Sequence, residues 1–507
     1  MAGRGFLRFA RTVSICTFLS RVLGLARDVL CARVFGAGGV WDAFVLAFTI
    51  PNLFRRMFGE GSLSLAFIPV MAEYTENRSE SETRNLVGVV FTATGAVLGV
   101  LVLLGVGGTW FYYRMAKPTG DGALFIRLLW ITLPYAVFIC LTAISMSVLN
   151  TRKHFLTPAL APAVLNIFWI GGVLLLAPFI GIYGVAVAVL AGGVVQLGMQ
   201  LPVLARKGLL PRLRIELGHP GLAQTGKLML PLLVGSAAMQ VNVLLDRAIA
   251  WLLAGEGGVA SLYYGDRLVQ FPLGVFGIAV TTAAFPAFAR KAATGDMEGL
   301  ADSVSQALRA IVFIALPASV GLMLVRHEAI ELFFRGGRFT EEAAARTASV
   351  LLFYSLGLVF YCGVHVLTRS FYSIGDMKTP VRLSLLTIGC NVVLNLSLVW
   401  RLKAPGIALA TALTGGLSFG LLFWRLRTRL SGIEGREVLV AVGRAALGCV
   451  FLAGAVIGVG VAVGGGDSVW MRLMRVALPV AAGALVYAGV AAALGTKEMK
   501  EVLGRGR

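Results

Sequence analysis

Two arginines and an aspartate stand inside the first apolar run of the chain, where a charge is expensive. The segment reads Thr17-Phe-Leu-Ser-Arg-Val-Leu-Gly-Leu-Ala-Arg-Asp-Val-Leu-Cys31. Ser20, Gly24, Arg27 and Cys31 recur at helical spacing and share one face, and Arg21 and Asp28 form the adjacent stripe. An arginine at the centre of a bilayer costs about 3 kcal/mol on insertion scales, so it persists there only against water, protein or a ligand. Snorkelling to a headgroup, or a structural Arg–Asp pair, would satisfy these groups without any substrate. A guanidinium kept in a spanning helix also suits an anion, and its planar fork matches phosphate oxygens better than an ammonium does.

The second apolar run adds Asp42 and then Ile50-Pro-Asn-Leu-Phe-Arg-Arg-Met-Phe-Gly-Glu-Gly61. Pro51 removes a helical hydrogen bond and predicts a kink, and Gly59 and Gly61 allow a further bend. Arg56 and Glu60 are four apart and read as an ion pair, which leaves Arg55 the freer of the two arginines. Arg267, in Tyr263-Tyr-Gly-Asp-Arg267, is the comparable arginine of the second half and lies close to Pro272. Convergence of Arg21, Arg27, Arg55 and Arg267 on one cavity would suit a pyrophosphate.

A second constellation is uncharged but for one acid. Asp246 lies within an apolar run, Asn391 and Asn395 are four apart on another, and Thr411 is on a third. One carboxylate with carboxamide and hydroxyl oxygens makes a hard-cation shell, and its single charge favours a monovalent ion such as sodium. Hydrogen bonding of the asparagines between helices is the plainer reading. The six cysteines lie in apolar stretches without a CxxC pairing, and the four histidines lack metal-ligand spacing. No other cofactor is expected.

The elements that must position these groups are membrane helices. Of 507 residues 58% are hydrophobic and only 14% charged, well below the roughly 25% of a soluble protein. Apolar runs long enough to span recur throughout and predict an all-α polytopic membrane protein with about fourteen spans. The net charge of +20 falls in alternate loops, such as Arg206/Lys207/Arg212/Arg214 and Arg425/Arg427/Arg429, and in the tail at Lys497, Lys500, Arg505 and Arg507. That pattern places both termini in the cytoplasm and argues against nucleic acid, for which no basic face exists outside the spans. Arg4, Arg8 and Arg11 precede the first run as in a signal peptide, but Arg21, Arg27 and Asp28 interrupt it, so it reads as an uncleaved span.

An internal repeat orders the spans. Thr157-Pro158 and Thr379-Pro380 are offset by 222, as are Gly184-Val-Ala-Val-Ala and Gly406-Ile-Ala-Leu-Ala, and Gly193 and Gly415. Pro51 and Pro272 are offset by 221. Six spans separate the copies, an even number, which implies two parallel six-helix lobes, 1–216 and 217–432, with a substrate site between them. Residues 433–507 then form two additional helices and a cytoplasmic tail.

Several longer motifs carry a family resemblance: Ser20-Arg-Val-Leu-Gly-Leu-Ala-Arg-Asp28, Pro51-Asn-Leu-Phe-Arg-Arg56, Glu60-Gly61, Ala66-Phe-Ile-Pro69, Tyr263-Tyr-Gly-Asp-Arg267 and Asp376-Met-Lys-Thr-Pro380. The chain closely resembles, nearly end to end, the MurJ (MviN-type) lipid II flippases of the multidrug/oligosaccharidyl-lipid/polysaccharide exporter superfamily. The resemblance implies fourteen spans in the bacterial cytoplasmic membrane and a transporter, not an enzyme. Its substrate would be lipid II, the polyprenyl-pyrophosphate glycopeptide used in cell-wall synthesis, moved to the outer leaflet by alternating access. It implies cavity arginines at Arg21, Arg27, Arg55 and Arg267, and important acids at Asp28, Asp42 and Glu60. It also implies a sodium site, present in some members, at Asp246, Asn391, Asn395 and Thr411, and a lipid-tail groove on the last two helices. A monomer among membrane lipids would suffice. A drug pump for cations would line its cavity with acids instead, and an intramembrane transferase would need a catalytic constellation that is not found.

Overall fold

The computed structural model describes residues 2–216, 218–430, 432, 435–464, 466, 468–496 and 498–499, with side chains placed except at 2–10, 12, 59–62, 234–236 and 238–239. The tail charges Lys497, Lys500, Arg505 and Arg507, and the side chains of Arg4 and Arg8, lie outside the described residues. Among those residues the fold is all helix, the one strand-like feature being an isolated bridge between Gly336 and Phe339. Among the described residues ten helices are long and apolar enough to cross a membrane, with mean hydropathy of 1.7 to 2.5 over their apolar windows. The expected number was about fourteen. One of the ten, Lys378–Arg427, covers two expected spans, because its backbone leaves the helical region at Lys403. The remaining long stretches are Ala2–Phe35, 39–77 and Pro220–Leu253, and charged residues such as Arg27, Arg55 and Asp246 interrupt their apolar runs.

The chain divides into two compact units, Met1–Leu244 and Leu245–Arg507. The first begins with α1 (Ala2–Phe35) and α2 (Gly39–Phe54), which passes through a π-helical stretch, Arg55–Ser62, into α3 (Leu63–Asn77). Then come α4 (Glu80–Ala116), α5 (Gly120–Thr132), α6 (Tyr135–Thr151), α7 (Leu156–Gly171), α8 (Ala177–Ile180), α9 (Ile182–Gly198) and α10 (Leu201–Arg206). Ser79 starts α4 with a reciprocal capping box to Glu82. Large aromatics fill the middle of the unit: Trp41, Phe44, Phe48, Tyr135 and Trp169 stack or meet edge to face.

Helix α11 (Pro220–Leu253) leads into the second unit. Its elements are α12 (Gly258–Pro272), α13 (Ile278–Ala293), α14 (Met297–Leu324), α15 (Arg326–Phe334), α16 (Glu341–Ser373), α17 (Lys378–Arg427), α18 (Gly435–Ala462) and α19 (Val469–Ala493). The appended pair α18–α19 packs on α14 through Cys449, Leu452, Val456 and Tyr487, and the Tyr487 hydroxyl donates to the Phe313 carbonyl at 2.8 Å. Arg309 of α14 ties both ends of that pair by ion pairs to Glu437 and Glu498.

The repeat read from the sequence has the same local geometry in both copies. Gly181 turns the chain at φ 58, ψ −140, and Lys403, 222 residues later, turns it at φ 55, ψ −136. Just beyond each turn the returning helix touches the one it left. A Cβ on Gly184 would lie 2.7 Å from Leu176 Cβ, and one on Gly406 would lie 2.7 Å from the Leu398 carbonyl oxygen. Glycine is required at both, since only a missing Cβ lets the backbones approach so closely. Gly193 and Gly415 likewise each seat against a tyrosine ring, Tyr135 and Tyr361. Pro51 and Pro272 each stand just before a π-helical stretch, Arg55–Ser62 and Leu273–Gly277, as expected where a proline breaks the regular ladder.

Candidate functional site

In the first unit, Ser20, Gly24, Arg27 and Cys31 form the face of α1 that lies on α7. Asn166 of α7 donates through Nδ2 to the Ser20 carbonyl at 3.0 Å, stands against Gly24, and accepts from Arg27 Nη1 at 3.0 Å. One turn further, Trp169 donates to Cys31 Sγ at 3.3 Å and lies 4.3 Å beneath the Arg27 guanidinium. Arg27 is only 7% exposed. Its Nε and Nη2 both donate to one oxygen of Asp28, Oδ1, at 3.0 and 2.8 Å. The pair is therefore not the parallel fork in which each nitrogen has its own oxygen. A ligand that presents two oxygens at fork spacing would bind the same edge better.

Arg21 lies exposed on α1. Asp42 is buried in the first turn of α2, where a carboxylate complements the helix N-terminus. Arg55 is partly buried at the start of the π-helical stretch, and its Nε donates to Asn52 Oδ1 at 2.8 Å. The Glu60 side chain, and with it the expected pair with Arg56, lies outside the described residues. The backbone there is π-helical over Arg55–Ser62.

In the second unit, Arg267 of α12 reaches back one turn to Tyr263. Its Nη2 meets the hydroxyl at 3.1 Å and its guanidinium lies 4.8 Å from the ring centroid. Arg247 of α11 approaches the same ring at 5.8 Å. Tyr263 thus carries two guanidinium groups, a cation–π arrangement that fixes the direction of both.

The four residues of the second constellation do come together. Asn395 Nδ2 donates to Asp246 Oδ1 at 2.6 Å and to Asn391 Oδ1 at 2.8 Å, and Thr411 Oγ1 lies 3.4 Å from Asp246 Oδ2. Asn391 Nδ2 donates to Thr414 Oγ1 at 3.2 Å, which adds a fifth side chain to the group. Asn395 Oδ1 is buried without a hydrogen-bond partner. One carboxylate, two carboxamide oxygens and a hydroxyl within hydrogen-bond reach of one another are the donor set of a small hard cation. No group of three or more His, Cys, Asp or Glu side chains able to hold a metal occurs among the described residues.

Asn166, Trp169, Tyr263 and Thr414 were not singled out from the sequence. For Asn166 a signal existed: it is a lone carboxamide in the apolar run that follows Pro158 and Pro162.

Comparisons with known proteins identify the family. The family model for lipid II flippase MurJ matches residues 31–473. A probable lipid II flippase MurJ of Vibrio cholerae serotype O1 is 35% identical over 461 residues, covering 88% of this chain and 87% of the relative. The lipid II flippase MurJ of Burkholderia cenocepacia is 34% identical over 429 residues, covering 82% and 83%. Among solved structures, a lipid II flippase MurJ in an inward closed conformation superposes with a TM-score of 0.79 at 26% identity, covering 95% of this chain and 99% of the other. An inward-facing MATE family multidrug transporter of the MOP superfamily gives a TM-score of 0.69 at 16% identity, over 82% and 95%, and shares the fold.

Proposed function

The chain belongs to the family of the lipid II flippase MurJ, and from that premise we propose how the arginines of its spans carry a lipid-linked diphosphate. It is a multi-pass membrane transporter, not an enzyme, and lipid II is its substrate. Arg27 captures the pyrophosphate, and Arg21, Arg55 and Arg267 are the further arginines that serve lipid II. The single observation that supports this most strongly is the Arg27 guanidinium, which lies over Trp169 and donates to Asn166 while two of its N–H groups crowd one Asp28 oxygen. Two phosphate oxygens would replace that one oxygen with a parallel fork, and Asp28 would be released as the substrate arrives. Asp28 therefore keeps the buried arginine neutralised between cycles, since an unpaired charge there would cost several kcal/mol. Arg267 is aimed by Tyr263 and Arg55 by Asn52, so each arginine has a neutral partner that fixes its direction without competing for the anion.

Transport proceeds by alternating access, as a monomer with both termini in the cytoplasm and without nucleic acid. An inside-negative potential favours outward movement of the anion by about 2.3 kcal/mol per charge per 100 mV. A monovalent cation such as sodium would be held by Asp246, Asn391, Asn395 and Thr411. When bound it supplies a positive charge that offsets Asp246. To receive it, the Asn395 amide turns, so that its buried Oδ1 replaces the Nδ2 now donating to Asp246 and Asn391.

Lipid II flipping in proteoliposomes, with a sodium or a potassium gradient imposed, tests both parts. Wild type should flip lipid II in either and respond to sodium, and Asp246→Asn should erase the difference between the two cations. Equal rates in wild type under both gradients would remove the cation from the account. No flipping by wild type would remove the function.

A further inference from the structure

The chemistry not used above lies at the end of the first unit where α6, α10 and the start of α4 meet. Lys207, just past α10, donates to the Arg152 carbonyl at the end of α6 at 3.3 Å. Arg84 of α4 brings its Nη2 to 3.6 Å from where a Cβ would stand on Gly208. His154 joins them: burial first, and then the charge of Lys207, hold its imidazole below its ordinary value of 6.5. Three of these side chains carry a buried nitrogen with no hydrogen-bond partner among the described residues, namely Arg84 Nε, Arg152 Nε and His154 Nε2. Nor do the side chains of Arg84, Arg152 or Lys207 form an ion pair with any described residue. The acid in this stretch, Glu216, instead accepts from Asn85 at 2.9 Å. Cations at helix C-termini have a plain explanation in the helix dipole. That explains one charge per helix, but not buried donors left without an acceptor, which cost more than exposed ones.

The chain leaving this cluster shows what lies beside it. From Gly208 it runs extended along α4 into the apolar part of that helix. A Cβ on Gly88 would lie 2.5 Å from the Arg212 carbonyl oxygen, and the Arg214 N–H donates to Thr92 Oγ1 at 3.0 Å. From Arg84 to Thr92 is eight residues, about 12 Å along the helix axis. Pinned in this way, Leu213 and Ile215 point outward, 85% and 89% exposed, with Arg212 and Arg214 between and beside them. A free phosphate would explain the orphaned donors but not the paired apolar side chains next to them.

We propose that Arg84, Arg152, His154 and Lys207 form a binding site for the phosphate headgroup of an anionic phospholipid, with Leu213 and Ile215 against its acyl chains. On the orientation given above, this lipid belongs to the inner leaflet. The site is separate from the arginines that grip lipid II and does not depend on that assignment.

The test uses the full-length protein in nanodiscs of phosphatidylcholine with a minor fraction of phosphatidylglycerol, and counts by mass spectrometry the phosphatidylglycerol retained per protein. Wild type should enrich it. An Arg84→Gln/Arg152→Gln/Lys207→Gln variant should lose enrichment by about fivefold per charge removed, the usual effect of one basic group near an anionic surface. Lys378→Gln/Arg425→Gln/Arg427→Gln removes the same net charge elsewhere and should leave enrichment intact, as should the charge-conserving Arg84→Lys. Equal loss in both triple variants would mean diffuse attraction and overturn the site. Displacement of the lipid by tens of millimolar inorganic phosphate would overturn the lipid assignment. Thermal unfolding of each variant separates lost binding from lost folding, and retained enrichment in a folded first triple variant refutes the proposal.

Discussion

Asn166→Ala separates a positioning role from a purely structural one. The asparagine makes one charge-assisted hydrogen bond, from Arg27 Nη1 at 3.0 Å, and one neutral bond to the Ser20 carbonyl at 3.0 Å. The first contributes about 1.5–3 kcal/mol and the second about 1 kcal/mol. Alanine should therefore loosen the α1–α7 contact by about 2.5–4 kcal/mol and leave Arg27 aimed without its carboxamide partner. If no more than ~1.5 kcal/mol of this is felt in the complex, lipid II affinity falls about tenfold. Asn166→Asp keeps the acceptor but adds a second carboxylate beside Arg27. At about 4 Å and an effective dielectric near 20, that charge attracts the guanidinium by about 4 kcal/mol, in competition with the substrate. The aspartate variant should then weaken lipid II binding at least as much as alanine, with a smaller loss of thermal stability. Binding is measured by titrating lipid II into the purified protein, and stability by thermal unfolding in the same detergent. An alanine variant that unfolds earlier yet binds lipid II with wild-type affinity would refute the idea that Asn166 aims Arg27.

Two further outcomes concern the fold. Asp376 caps α17 by accepting from the Thr379 N–H and hydroxyl at 2.9 and 2.6 Å, and pairs with Arg429 at 2.8 Å. Partial burial opposes its ionisation, but the two Thr379 bonds and Arg429 prevail and hold it below its ordinary 3.8. Its folded pKa is depressed, so its stabilisation is complete above pH ~4 and is lost as pH falls through the folded value. Asp376→Ala should cost about 1–2 kcal/mol of thermal stability near neutral pH and flatten that acid limb, whereas Asp376→Asn should keep most of the cap. Lys403 occupies a backbone conformation that its repeat partner Gly181 adopts freely. Lys403→Gly should raise the unfolding temperature, because the strain relieved, of order 1–3 kcal/mol, exceeds the added freedom of the unfolded chain.

Much of this architecture is legible in the sequence, for identifiable reasons. Helical spacing alone places Ser20, Gly24, Arg27 and Cys31 on one face, and that face is the one seated on α7. The offset of 222 foretells the paired turns because each copy needs a glycine just where two helices touch. The turn at Lys403 is not legible, since lysine gives no sign of a positive φ. Trp169 is equally hidden, an ordinary span residue until the fold brings Arg27 onto it, whereas Asn166 stands out as a lone carboxamide and Tyr263 opens a motif, their roles appearing only with the fold. For Asp246, Asn391, Asn395 and Thr411 the residue types suggest a shell, but only the fold brings three helical segments far apart in sequence to one point.

The central claim is that arginines of the spans, Arg27 foremost, carry the diphosphate of lipid II across the membrane. Its most direct test is the initial rate of lipid II flipping by Arg27→Ala and Arg267→Ala in proteoliposomes, at matched protein incorporation and confirmed folding. Loss of one charge-assisted grip of about 1.5–3 kcal/mol predicts a fall of about tenfold to a hundredfold for each variant. Wild-type rates in both would contradict the account.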